Sequence, residues 1–343
     1  MSSFVLVPGT KTKGTKTKLV AEYSRFCYAE SQLEANDKPS AAREMFMADY
    51  SIGPLELVLD ARAALAETPV WDDLTQTLYW VDIEGCCIHR YDPADGSDQS
   101  FLMDQRVGSI ALRQAGGLVA AMQNGFYLID LEKGSVHPIA DPERDLTNNR
   151  FNDGKCDPAG RFWAGTMGLS KPRQPVGALY SLFADHQVHR MLSGVRTSNG
   201  LAWSLDQRTL YYIDTPCQTV DALDYDLETG EIANRRPVIH IPADQGRPDG
   251  MTIDRAGMLW VAHWSGWQIA RYNPHTGDQL AVIRVPVENV SCCTFGGADL
   301  DWLYITTARE GQSEAALEKQ PLAGGIFRVQ VSIAGLPAAR FAG

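Results

Sequence analysis

Five side chains capable of chemistry, Arg150, Asn152, Asp153, Lys155 and Asp157, fall within eight positions of NNRFNDGKCDPAGRFWAGTM (148–167), just before a Phe-Trp-Ala strand. Such a cluster can bind a polar ligand, move a proton or help hold a cation, and it is also the composition of an ordinary solvated turn. One copy does not separate these readings. The chain carries relatives of this stretch, and comparing them does.

W71DDLTQTLYWVDI, W203SLDQRTLYYIDT and I253DRAGMLWVAH share one plan, a polar turn followed by a strand of alternating aromatic and β-branched residues. C156DPAGRFWAGTM, A111LRQAGGLVAAM and T294FGGADLDWLYITT complete a set of six, with starts 40, 45, 47, 50 and 41 residues apart. Most units run on into a second hairpin, whose turn reads YDPADG (91–96), IDLEKG (129–134), YDLETG (225–230) or YNPHTG (272–277). The resemblance of YDPADG to a calcium loop is outweighed by its match in position to the other turns. Two hairpins make four strands per unit. Six such units specify an all-β fold, a six-bladed β-propeller of four-stranded blades. The ring must close, and PLELVLD (54–60) and GGIFRVQV (324–331) are expected to pair in the last blade.

Four residues before each repeat start stand Glu67, Val107, Asn152, Asn199, Asp249 and Val290. Rotation about the propeller axis brings equivalent positions to one mouth of the channel. Two carboxylates and two amides converging there are costly to bury unless a cation lies between them. Oxygen donors suit one hard divalent ion, Ca²⁺ first, then Mn²⁺ or Mg²⁺; no Cys or His is equivalently placed to favour Zn²⁺. Singly, the Asn-Gly and Asp-Gly pairs that follow three of these residues are turn signals. The shared phase is what points to a site.

The whole chain sets outer bounds. Its 343 residues are 44% hydrophobic and 21% charged, enough for a large core. A net charge of -11 argues against nucleic acid and anionic membranes as partners. There is no run of 18 apolar residues, and MSSFVLVPG lacks the features of a signal peptide, so the expected compartment is the cytoplasm, as a monomer or small homo-oligomer. Seven cysteines, without C-x-x-C, read as reduced thiols. Residues 1–50, with the low-complexity KTKGTKTK, are expected to form a poorly ordered extension outside a propeller spanning 51–343, with a short helix conceivable over 41–47 and Met45 or Met47 as an alternative start.

RFNDGKCDPAGRFWAGTM, GALYSLF (177–183), SNGLAWSLDQRTLYYIDT, DYDLETGEIANRR, PDGMTID and SCCTFGG resemble the regucalcin (senescence marker protein), gluconolactonase and luciferin-regenerating enzyme family, from about residue 55 to the C-terminus. The resemblance implies a six-bladed propeller with one divalent cation at the channel mouth and hydrolysis of aldonolactones to aldonic acids. It implies Glu67, Asn199 and Asp249 as metal ligands, Arg150 and Asn152 as substrate-binding groups, and Asp249 also as the catalytic carboxylate. One departure stands out. Where mammalian members carry an acidic stretch after Gly-Thr-Met, this chain has GLSKPRQPV (168–176), with Lys171 and Arg173 in place of acids.

A metal-bound water, Asp249 as its proton acceptor and Arg150 and Asn152 as hydrogen-bond donors would open a sugar lactone. Arg150 could instead be a structural partner of Asp153 or Asp157. No G-x-S-x-G, Walker loop or G-x-G-x-x-G occurs, which removes serine-hydrolase, NTPase and dinucleotide readings. The alternatives that remain are a calcium-binding regulatory protein with incidental hydrolysis and an organophosphate-hydrolysing propeller. His186 and His189 read as exposed turn residues. Trp264 and Trp267 could wall a sugar pocket or pack in the core.

Overall fold

The computed structural model of the chain describes residues 5–7 and 51–343. The helix conceived over 41–47 and nearly all of the N-terminal extension lie outside the described residues. Among the described residues the strands form six antiparallel sheets, each with four strands from the body of the chain. The innermost strands are Ala66–Asp72, Val107–Leu112, Asn149–Cys156, Ser198–Trp203, Arg247–Ile253 and Asn289–Gly296. Each packs against the next, and the sixth packs against the first. The protein is a six-bladed β-propeller.

Closure follows from the sequence. Glu56–Leu59 adds as the outer strand of the sixth blade, with Glu56 opposite Arg328, Leu57 opposite Phe327 and Leu59 opposite Ile326. Glu56 also accepts from the Arg328 Nε at 2.8 Å. Val5–Val7 pairs with the outermost strand of the first blade, Ser97–Leu102. Residues 332–343 cross the face opposite the strand starts, where the Phe341 N–H donates to Leu112 O at 2.8 Å and the Phe341 ring is fully buried.

The repeated turn-and-strand motif has a physical cause. In two blades the turn aspartate is fully buried and accepts the indole N–H of the tryptophan six residues on, Asp157 from Trp163 at 2.9 Å and Asp254 from Trp260 at 3.0 Å. The same carboxylates take Arg161 Nε at 2.7 Å and Arg271 Nε at 2.8 Å. One acid thus ties a turn, an aromatic core residue and a neighbouring strand together, satisfying a charge that burial would otherwise make costly. The second-hairpin turns are as expected. The Gly96 N–H donates to Asp92 O at 2.9 Å and the Gly230 N–H to Asp226 O at 2.8 Å, each glycine with a positive φ.

Removal of residues 1–60 deletes the closing strand, so the truncated chain is expected to lose its cooperative thermal transition; an intact transition near the parent temperature would show that the sixth blade closes without it. Asp254→Ala breaks a buried ion pair and is expected to cost about 3–5 kcal/mol. Calorimetry checks this, and a drop in melting temperature of less than about 3 °C would place the stability elsewhere.

Candidate functional site

All six innermost strands lose register with their neighbours at one height. The irregularities fall between Glu67 and Val70, Val107 and Ser109, Phe151 and Gly154, Asn199 and Leu201, Pro248 and Met251, and Val290 and Cys292. Bulges re-aim side chains out of the regular pleat and recur next to active sites. Glu67, Asn152, Asn199 and Asp249 stand at these irregularities and line one cleft of about 870 Å³ together with Arg150. Val107 and Val290, at the equivalent height, are buried in the core. The glycines that follow the site residues lie inside strands and do not form turns. At Gly200 an added Cβ would come within 2.8 Å of Asp249 O, and at Gly250 it would overlap the Cys292 thiol, so glycine is what lets adjacent innermost strands approach.

A chain of hydrogen bonds fixes the amides. Asn199 Nδ2 donates to Thr215 Oγ1 at 2.7 Å, and that hydroxyl donates to Pro248 O at 2.8 Å. The Asn199 amide is thereby held in one orientation, with Oδ1 accepting from Asn152 Nδ2 at 2.8 Å and keeping a lone pair for a further ligand. Asn152 Nδ2 also donates to Ser198 O at 2.8 Å, and Asn152 Oδ1 accepts from Arg150 Nη1 at 2.6 Å. Both amide hydrogens of Asn152 are therefore committed. What it offers a ligand is the second lone pair of Oδ1 and the placement of Arg150. The Arg150 Nε is buried without a hydrogen-bond partner, 4.0 Å from Glu84 Oε1. Neither Asp153 nor Asp157 pairs with Arg150; Asp157 is taken by Arg161.

The second strands brace this layer. Asp82 accepts from the Ala64 and Leu65 N–H groups at 3.0 Å, just before Glu67, and Asp214 accepts from Thr197 at 2.9 Å, just before Asn199. Both aspartates end the WVD and YID runs of the repeats, so the motif that builds the blade also positions the site.

Electrostatically the floor is strained. Glu67, Asp153 and Asp249 are buried. Burial, reinforced by Asp153, pushes the Glu67 carboxyl up to about 8, against the Thr68 N–H that it accepts at 2.9 Å. Burial, then Glu67, raises Asp249 well above the carboxylate range, and burial raises Asp153 to about 6. Lys155 offsets part of the charge beneath them and donates to Met251 O at 2.6 Å across the channel. Among the described residues no three His, Cys, Asp or Glu side chains form a metal cage. The donors available here are two carboxylates and one fixed amide oxygen, hard ligands suited to a hard dication, and like charges that a dication would relieve.

Residues two positions before the site residues share their side of the strand. Leu65, Arg150, Thr197, Arg247 and Glu288 accordingly form a rim above the floor. Arg247 and Glu288 could have been found by that step of two; Thr215, in the single-turn helix Thr215–Cys217, and Glu310, in a turn, lie outside it. Trp264 lines the cleft, whereas Trp267 is 40% exposed elsewhere. His186 lies in an exposed turn and His189 on an exposed strand. Of the described cysteines, all are free, with Cys156, Cys292 and Cys293 buried and Cys217 exposed.

Residues 65–309 match the SMP-30/Gluconolactonase/LRE-like region, and the chain belongs to this family. Regucalcin of Oryctolagus cuniculus is 43% identical over 294 residues, covering 84% of this chain and 98% of that protein. Regucalcin of Homo sapiens is 42% identical with the same coverage. Among solved structures, luciferin-regenerating enzyme superposes with a TM-score of 0.78 at 32% identity, over 84% of this chain and 99% of its own. A regucalcin from Agrobacterium tumefaciens, described as a calcium-binding protein, reaches 0.80 at 26% identity, over 84% of this chain and 97% of its own. No helix among the described residues is long and apolar enough to cross a membrane.

Asp249→Asn removes one of three buried acids that cannot all ionise together. In metal-free buffer this variant is expected to be more stable than the parent by about 1–2 kcal/mol, since relieving a strained site commonly adds that much. A lower melting temperature in chelator would mean that the Asp249 charge is compensated within the protein.

Proposed function

We propose that the protein is a divalent-metal-dependent lactonase that adds water to a sugar lactone and releases the open-chain acid. Glu67, Asn199 and Asp249 hold the cation. The carrying observation is the placement of two buried, mutually repelling carboxylates and an orientation-locked amide oxygen on the floor of one cleft, in a member of a family that includes gluconolactonases.

Bound there, a divalent cation would polarise the lactone carbonyl and make a bound water more acidic. Asp249 accepts the proton of the attacking water. Arg150 donates to the substrate, from a guanidinium whose Nε makes no hydrogen bond and lies 4.0 Å from Glu84 Oε1. Asn152 holds Arg150 and Asn199 in register and accepts from a substrate hydroxyl through its remaining lone pair.

The direct test strips the protein of metal, adds back Ca²⁺, Mn²⁺, Mg²⁺ or Zn²⁺ and measures acid release from a panel of aldonolactones. Turnover that requires a dication supports the reading. Tight Ca²⁺ binding without turnover of any lactone would favour a calcium-binding role, the property named for the Agrobacterium relative.

Two variants separate the roles. Asp249→Asn is expected to weaken metal binding and nearly abolish turnover even in excess metal. Asn152→Ala should still bind metal but lose about 2–4 kcal/mol of transition-state stabilisation, as for a well-placed polar group. Calorimetric metal affinity and turnover at saturating metal decide; equal loss of metal in both variants would contradict the division.

A further inference from the structure

Five cationic side chains line the cleft, namely Arg150, Lys171, Arg173, Arg196 and Arg247, on a chain whose overall net charge is -11. Lys171 and Arg173 come from the loop that links the second and third strands of the third blade, Arg196 from the segment leading into the fourth, and Arg247 from the first position of the fifth. Lys171, Arg196 and Arg247 are exposed to the cleft solvent and Arg173 is half-buried. None of these four forms an ion pair among the described residues. Arg173 is anchored instead by a bond from Nη1 to Gly168 O at 2.6 Å, and Glu310 and Glu84 act on its charge only at longer range.

The opposing acids are Glu67 and Asp249 on the floor, Glu288 and Glu310 on the rim and Glu84 beside Arg150. If the floor carboxylates keep their protons, five cations face three carboxylates. If a dication neutralises them instead, the excess positive charge is the same. A cleft with this surplus, on three adjacent blades of an otherwise acidic protein, attracts and selects anions.

From this layout we infer that the preferred substrate is a sugar lactone carrying a second oxyanion, a carboxylate or a phosphate, away from the ring carbonyl, held by Lys171, Arg173 and Arg196 while the lactone faces the floor. The inference rests on the lactonase reading and narrows it. The volume of about 870 Å³ leaves room for a substituent beyond a single ring. The reaction stays a hydrolysis: water adds to the carbonyl carbon, the ring C–O bond breaks and the ring oxygen leaves protonated as the hydroxyl, with the oxyanion unchanged.

The test compares kcat/KM for gluconolactone, a glucarolactone bearing a terminal carboxylate and the 6-phosphate of gluconolactone, using the full chain saturated with its most active metal. A preference of about tenfold or more for one charged lactone is expected, carried mainly by KM and shrinking at about 0.5 M NaCl. Which charged lactone is favoured separates carboxylate from phosphate. In Lys171→Gln and Arg196→Gln, and in the Lys171→Gln/Arg173→Gln pair, the loss should be about tenfold larger for the charged lactone than for the neutral one. Equal kcat/KM for neutral and charged lactones, or equal losses in the variants, would overturn the inference and leave the lactonase reading standing. If no lactone turns over, that reading fails instead, and calorimetry with glucarate, 6-phosphogluconate and gluconate decides the charge preference: tighter binding of a doubly charged acid upholds it, and equal binding removes it.

Discussion

The repulsion among Glu67, Asp153 and Asp249, buried together around the channel, is the constraint on which the rest of this propeller depends. Burial of a carboxylate is costly, and burial of three near one another is more so. Such an arrangement persists only where the surrounding structure is stable enough to hold it. Here the holding is done by six sheets whose innermost strands pack in a closed ring, by fully buried aspartates that bind tryptophans and arginines, and by a sixth blade completed from both ends of the body. The strain is local and the framework is distributed around the ring.

The same repeat supplies both. A register irregularity at one height in every innermost strand turns four side chains toward a common floor, while valines at the other two positions return that height to the core. Aspartates that end the second strands clamp the backbone just ahead of Glu67 and Asn199, and Thr215 fixes the face that Asn199 presents. Position therefore comes from rigid strands, and the loops add Lys171, Arg173, Arg196 and Glu310 to a charged rim begun by Arg150 and Arg247 on the strands. This division of labour fits a family in which one propeller is shared by proteins called regucalcin, gluconolactonase and luciferin-regenerating enzyme.

Much of this was legible in the residues, because a propeller repeats its instructions. The spacing of the six turn-and-strand motifs gave the blade number, and PLELVLD and GGIFRVQV disclosed the closing pair. Phase within the repeat brought Glu67, Asn152, Asn199 and Asp249 to one place. The glycines beside them were harder to read. Asn-Gly and Asp-Gly look like turns in isolation, and only the packed strands reveal Gly200 and Gly250 as points of close approach. The commitments of Asn152 to Ser198 and Asn199 were equally hidden, since hydrogen-bond partners 46 or 47 residues away leave no trace in local sequence. Thr215 reaches the cleft from a single-turn helix and Glu310 from a turn, both beyond the strands whose phase selects the floor.

The central claim is that the buried carboxylates and the fixed amide form one dication site. Crystals grown with Mn²⁺ and measured at its absorption edge test this most directly. A single strong anomalous peak within bonding distance of Glu67, Asn199 and Asp249 is the expected result. A peak elsewhere, or none on this floor at saturating Mn²⁺, would contradict it.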